Sequence, residues 1–240
     1  MGINAQFVDP WQYALLPTLE WQNIIRSKTE VDVFYSSEIR WFFEGEPDPA
    51  SVGWFTASQL GRQEESRTDE YLLLPGCTTV GVKVREGRFE VKAQTSQREP
   101  AQYGNGVRGY EESWVKWSHG LDGGNDAWLE GEDTWISVIK RRILRLYAID
   151  GEQVDEVPVG QFIDGAGCQL ELAKLTVPSS GLAPEARWWS ICLEAFGAPG
   201  QTQDILTVAA AHESLGDIAE VLTLEASMSY PLWLARLSTE

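Results

Sequence analysis

An α+β fold, with about eight antiparallel strands flanked by helices, is predicted by three observations. Between about residues 31 and 197, β-branched and aromatic residues recur at period two between Gly- and Pro-bearing turns. Apolar spacing near the helical period is confined to the two ends, about 1–30 and about 201–240. Nothing repeats at a fixed period, and no low-complexity linker divides the 240 residues, so one domain spanning 1–240 is expected.

The elements follow in order. Leu19, Trp21, Ile24 and Ile25 share a face of a short N-terminal helical segment. Val31 to Phe42 then alternates as a strand and stops at the turn formers Gly45, Pro47 and Asp48. Thr68 to Leu74 reads as a second strand. Val80–Arg85 and Arg88–Ala93 flank the tight turn Glu86-Gly87 and predict a hairpin. Glu112 to Ser118 sets Trp114, Lys116 and Ser118 against Val115 and Trp117. After an acidic loop (Leu121–Asp133), Thr134 to Ile149 is a long strand. A loop then leads from Asp150-Gly151 to a strand at Cys168–Leu172. The last strand, Arg187 to Phe196, opposes Trp189, Ile191 and Leu193 to Trp188, Ser190, Cys192 and Glu194. Gln203 to Glu213 is helical in composition, and Ile218 to Leu224 is a further short helix or helix end.

Composition narrows the class of function. With 36 Asp+Glu against 19 Lys+Arg the net charge is −17, which repels nucleic acid at long range. No apolar run approaches the ~20 residues that span a bilayer, and the N-terminus lacks the pattern of a secretory signal. Cys77, Cys168 and Cys192 are odd in number and have no CxxC spacing, which predicts reduced, packed thiols in a cytoplasmic protein. GxSxG, P-loop and GxGxxG motifs are absent, against hydrolase, NTPase and dinucleotide-binding readings of those types. His119 and His212 have no second ligand at zinc spacing, and Asp122 to Asp126 lacks the ligand pattern of a calcium loop. Trp41, Trp114, Trp117 and Trp189 suit packing between sheet and helices at least as well as a stacking platform.

The polar face of the strands is the distinguishing feature. Glu38 and Arg40, Lys83 and Arg85, Glu90 and Lys92, Glu171 and Glu194 place both signs of charge near mid-strand. A solvated face of an open antiparallel sheet explains this, and periodicity alone favours it. The alternative is a closed barrel with a charge-lined lumen and an apolar exterior under helices, in which Arg and Lys hold a polyanion and carboxylates a divalent cation.

The order of the segments resembles the CYTH-like, or triphosphate tunnel metalloenzyme, superfamily. Ser36-Ser37-Glu38-Ile39-Arg40-Trp41 is similar to its ExExK opener, and Asp69-Glu70-Tyr71 to its tyrosine strand. Val82-Lys83-Val84-Arg85 is similar to LRxR, and Glu90-Val91-Lys92 to the end of LTLK. Lys140-Arg141-Arg142 is similar to the basic strand, and Cys192-Leu193-Glu194 to the closing ExE. The resemblance implies an α+β fold: an antiparallel eight-stranded tunnel, or barrel, with flanking helices. It further implies a phosphorylated or anionic small-molecule ligand and, for an enzyme, divalent-metal-dependent hydrolysis of a phosphoanhydride. Carried onto this chain, it makes Glu38 and Arg40 the catalytic candidates. Arg40, Lys83, Arg85, Lys92, Lys116 and Arg142 become the substrate-binding candidates, and Glu38, Glu171 and Glu194 the ligands of Mg²⁺ or Mn²⁺.

Departures from that pattern open a second reading. With Arg40 in the place of the motif Lys, Ser36 stands where the first opener Glu belongs. With Glu38 as the first Glu, Arg40 replaces the second and Phe42 the Lys. Cys192 stands in place of a closing carboxylate. Both acidic pairs are halved, so a two-metal mechanism is poorly supplied. A catalytically silent module that binds a ligand or a protein partner is the alternative.

Overall fold

The computed structural model describes residues 31–57, 60, 63–103, 106–121, 134–180, 185–212 and 215–238. The expected N-terminal helical segment (1–30), and the acidic loop beyond Leu121, lie outside them.

All strands join one antiparallel sheet: β1 (Val31–Glu44), β2 (Gln63–Leu72), β3 (Val80–Arg85), β4 (Arg88–Gln94), β5 (Glu99–Gln102), β6 (Arg108–Gly120), β7 (Trp135–Asp150), β8 (Gln153–Val157), β9 (Ala166–Val177) and β10 (Ala186–Phe196). Around the sheet the order is β1-β10-β9-β7-β2-β3-β4-β6, and β6 pairs back onto β1. That last pairing, from Val31 opposite His119 to Ile39 opposite Glu111, closes an eight-stranded barrel. β5 pairs outside the ring with β6, and β8 with β7. The closed barrel of the expected fold class is therefore present, and the open sheet with a solvated charged face is not.

Local chemistry accounts for the elements. β3 and β4 meet at Glu86 and Gly87, with φ of 48° and 73°, the doubly left-handed turn that matches strand twist. α1 (Pro49–Thr56), absent from the sequence expectation, starts where that expectation placed a plain turn. Asp48 caps it by accepting from the Ser51 N–H, and Pro49 supplies a preset first helical residue. β2 begins five residues earlier than Thr68, in the polar stretch Gln63–Arg67. β8 occupies part of the expected loop after Asp150. α2 (Thr202–His212) lies within a residue or so of its expected bounds. The expected piece at Ile218–Leu224 is instead a 3₁₀ turn at Leu215–Ile218 followed by non-helical chain, and α3 (Tyr230–Leu237) ends the described chain.

The main core lies outside the barrel. Ile39 and Trp41 of β1, Leu170 and Leu172 of β9, and Ile191 and Leu193 of β10 pack with Phe55 of α1 and with Ile205, Leu206 and Ala209 of α2. A second cluster plugs one end. There Phe42, Tyr71, Ala173 and Leu175, on the inward side of their strands, meet Trp233, Leu234 and Leu237 of α3. Phe42 stacks on Trp233 at 4.8 Å between ring centroids. The interior is thus covered by a helix at one end. Trp41 and Trp189 belong to the outer core as expected, whereas Trp114 lines the interior and Trp117 is 38% exposed. Cys168 and Cys192 are buried, but Cys77 is only partly so. No helix among the described residues is long and apolar enough to cross a membrane.

Candidate functional site

Strand alternation decides which side chains face inward. β1 and β10 pair with Glu38 opposite Glu194 and Arg40 opposite Cys192. β10 and β9 place Cys192 opposite Glu171. β4 and β6 place Lys92 opposite Lys116, and β3 and β4 place Lys83 opposite Glu90. All nine sequence-derived candidates (Glu38, Arg40, Lys83, Arg85, Lys92, Lys116, Arg142, Glu171 and Glu194) line one interior cavity of about 230 Å³. Glu38 is 4% exposed, Arg40 6% and Glu171 5%, which bulk solvation of this face would not allow.

Arg67 and Tyr230, which sequence reasoning missed, line the same cavity, as do Tyr71, Glu90 and Lys140, which it placed on strands without naming them as site residues. Arg67 and Asp69 were legible in principle, because they continue the alternation of Tyr71 backwards along β2. That strand segment is polar on both faces, so hydrophobic periodicity does not mark it. Tyr230 comes from α3 and carries no signal in the strand pattern. Between neighbouring cations of β7, the structure places Lys140 and Arg142 inside and leaves Arg141 exposed.

The ion pairs fall into groups along the lumen. Nearest α3, Asp69 is buried among Lys140 Nζ at 2.8 Å, Arg67 Nε at 3.2 Å and Lys83 Nζ at 3.3 Å. Burial alone would raise the Asp69 carboxyl, yet Lys140, Lys83 and Arg67 hold it well below the usual carboxylate range. Lys140 donates to the Tyr71 hydroxyl at 2.6 Å, and its ammonium lies 3.9 Å from the Tyr230 ring centroid. Further in, Glu171 accepts from Arg40 at 2.8 Å and from Arg142 at 2.9 Å, and Arg142 also donates to Glu65. Burial opposes the Glu171 charge, but the two guanidiniums hold its carboxyl far below normal. Glu90 takes Lys83 at 3.1 Å and Arg85 at 2.9 Å.

On β1, β10 and β4, Lys92 Nζ donates to Glu38 at 2.7 Å and to Glu194 at 3.1 Å. Burial would lower the Lys92 ammonium, but Glu194 and Glu38 raise it well above its ordinary value. Glu112, opposite Glu38 in the β1–β6 register, is pushed up to about 7 by burial and then by the Glu38 charge. Lys116 differs from every other lining cation: among the described residues it has no carboxylate within ion-pair distance. Its ammonium sits 4.4 Å from the Phe34 ring centroid, and burial pushes it down to about 8.

Two features set the charge and the hydrogen bonding of this lumen. Eight cations (Arg40, Arg67, Lys83, Arg85, Lys92, Lys116, Lys140, Arg142) line the cavity, against the lining carboxylates Glu38, Glu90, Glu171 and Glu194 plus the contacting Asp69 and Glu65. Inside a chain of net charge −17, the lumen therefore has an excess of positive charge. Among the described residues, the buried donors Arg40 Nε, Arg142 Nε, Trp114 Nε1 and the Tyr230 hydroxyl of the lining side chains have no hydrogen-bond partner, nor do the carboxylate oxygens Asp69 Oδ1 and Glu90 Oε2, which lie in ion pairs. Buried polar groups are ordinarily satisfied, so the lining is left with hydrogen-bonding capacity to spare.

The expected shell for Mg²⁺ or Mn²⁺ does not assemble from Glu38, Glu171 and Glu194. Both oxygens of Glu171 are taken by guanidiniums, and Lys92 lies between Glu38 and Glu194. Among the described residues no group of three His, Cys, Asp or Glu is placed to hold a metal ion. Hard divalent ions need several free oxygen ligands, and this donor set offers them ammonium and guanidinium groups instead.

No protein-family model matches the sequence, and no curated protein matches it. Among solved structures, the chain is similar to S. pombe Pct1 RNA triphosphatase, determined in complex with the Spt5 CTD. The TM-score is 0.34 and the identity 9%, over 79% of this chain and 81% of that one. Likeness at that level has no bearing on activity, which has to be read from the lumen.

Proposed function

We propose that this barrel binds a small polyanion of phosphorylated or polyphosphate type, with the lumen cations clamping its oxygens. The observation that carries the reading is the convergence of eight cations and several unmatched donors on one enclosed cavity. Guanidinium groups suit phosphate oxygens because their N–H donors fork in a plane. In this reading Arg40 and Arg142 contribute guanidinium charge to the lining, and Lys116 is the lining cation with no carboxylate in ion-pair distance among the described residues. A cavity of about 230 Å³ is below the ~300 Å³ at which pockets for drug-sized ligands begin. The enclosed part of the ligand is accordingly compact, on the scale of a few phosphoryl groups.

Binding rather than metal-dependent hydrolysis is the favoured form, because Glu171 and the Glu38–Glu194 pair are already committed to cations. Calorimetric titration with inorganic triphosphate, with and without EDTA, tests this directly. The expected result is binding of similar affinity in both conditions, weakened about tenfold in the Arg40→Ala and Lys116→Ala proteins. Absence of heat and of thermal stabilisation with triphosphate, diphosphate and phosphate alike would overturn the proposal. Phosphate release that needs Mg²⁺ and disappears in Glu38→Ala would restore the hydrolytic alternative.

A further inference from the structure

The Lys92 ammonium contacts two carboxylates that belong to different strands and stand directly opposite in register, Glu38 of β1 and Glu194 of β10. Two carboxylates so close repel each other unless a cation lies between them. In principle a divalent ion or an ammonium can do this, and here the ammonium does. Lys92 reaches them from β4, across the barrel from β10, and no strand-to-strand pairing requires that reach. Its neighbour in register is another cation, Lys116, which has no carboxylate of its own. The side chain of Lys92 is 26% exposed and that of Glu194 34%, whereas that of Glu38 is 5% exposed.

We propose that Lys92 is a built-in replacement for a divalent cation: its ammonium bridges Glu38 and Glu194 and offsets one of their two charges without any bound metal. The inference deepens the anion-binding reading by making that binding metal-independent, and it assigns a latent cation site that the lysine blocks. The lysine is fixed in the chain, so the two carboxylates are bridged whatever the supply of divalent ions, and the anion is left to the other lining cations. Hard cations bind carboxylate oxygens in the charged state, so removing the ammonium while keeping Glu38 and Glu194 exposes two such ligands. Waters complete the shell of an ion held this way.

The test is Mn²⁺ binding followed by the electron paramagnetic resonance of the free ion, with no anion present. Wild-type protein is expected to leave the free Mn²⁺ signal unchanged. The Lys92→Met protein is expected to bind about one equivalent at least tenfold more tightly, and Glu194→Gln added to it should abolish that binding. Tight Mn²⁺ binding by the wild type that Glu38→Gln removes would overturn the proposal, as would failure of Lys92→Met to bind. Should Lys92→Met or Lys92→Gln fail to fold, refolding in Mn²⁺ decides: a recovered cooperative melt supports the proposal, and none overturns it. Because this arm contains no anion, its outcome is independent of whether triphosphate binds.

Discussion

The two faces of β10 differ more than any two regions of the barrel. Outward, Ile191 and Leu193 are buried with Leu206 of α2 in a dry cluster. Inward, two residues along the same strand, Cys192 and Glu194 sit among Arg40 and Lys92. A strand usually turns its apolar side to the core and its charged side to water. Here closure of the sheet reverses the charged side onto itself, and helices cover the other. Stability therefore comes from the outer face by burial of area, while the inner face holds charges whose cost of desolvation is offset only by one another. Paired buried charges stabilise a fold weakly, so the inner face adds less to stability than the outer.

The largest effect should come from breaking an inner pair. Glu171→Ala leaves Arg40 and Arg142 without their shared carboxylate. It should cost about 3–5 kcal/mol in urea unfolding. If the loss is below ~1 kcal/mol, the inner network is not bound together as described. Next, Ile191→Ala on the outer face should cost about 2–5 kcal/mol by transfer and cavity terms, with triphosphate affinity of the folded fraction unchanged. A parallel fall in affinity would dissolve the division between faces.

Lys116→Ala sharpens the contrast from the other side. With no ion pair to lose, its stability should change by less than about 1 kcal/mol, while anion affinity falls about tenfold, worth about 1.4 kcal/mol. The same residue sets a pH dependence. Its ammonium is lost as pH rises through about 8 in the unliganded protein, so affinity should decline above that pH in the wild type. Lys116→Arg, charged throughout, should flatten the profile. The smallest effect concerns Glu112. Its carboxyl rises on folding to about 7, so the folded chain holds that proton more tightly than the unfolded one. Stability contributed in acid is then lost as pH climbs through about 7. Glu112→Gln should accordingly gain on the order of 1 kcal/mol relative to wild type at pH 8, and less at pH 5.

How legible these features were follows from particular residues. The hairpin at Glu86-Gly87 was plain because both the turn chemistry and the alternation on each side agree. Eight of the nine candidate side chains lie on strands with an apolar opposite face, so parity could be read; in the Lys140–Arg145 run cations occupy both faces, and parity did not choose between Arg141 and Arg142. Arg67 and Asp69 escaped because Gln63 to Asp69 is polar on both faces, and parity there is set by pairing with β7 and β3. α1 was missed although Asp48-Pro49 is a good helix start, since Gly45 and Pro47 just before it read equally as a turn.

By itself the sequence determined that strands alternate from about residue 31, where they turn, and which residues share each face, because a strand's period is a property of its own backbone. It also determined that the cations and carboxylates of one face would travel together. Only the tertiary structure decided that β6 returns to β1, which turns a face that water would solvate into the wall of a cavity. It alone decided that α3 closes one end and that Lys92 lies between Glu38 and Glu194. Closure and ion pairing join residues far apart in the chain, and no local period encodes which of several possible partners a charge will meet.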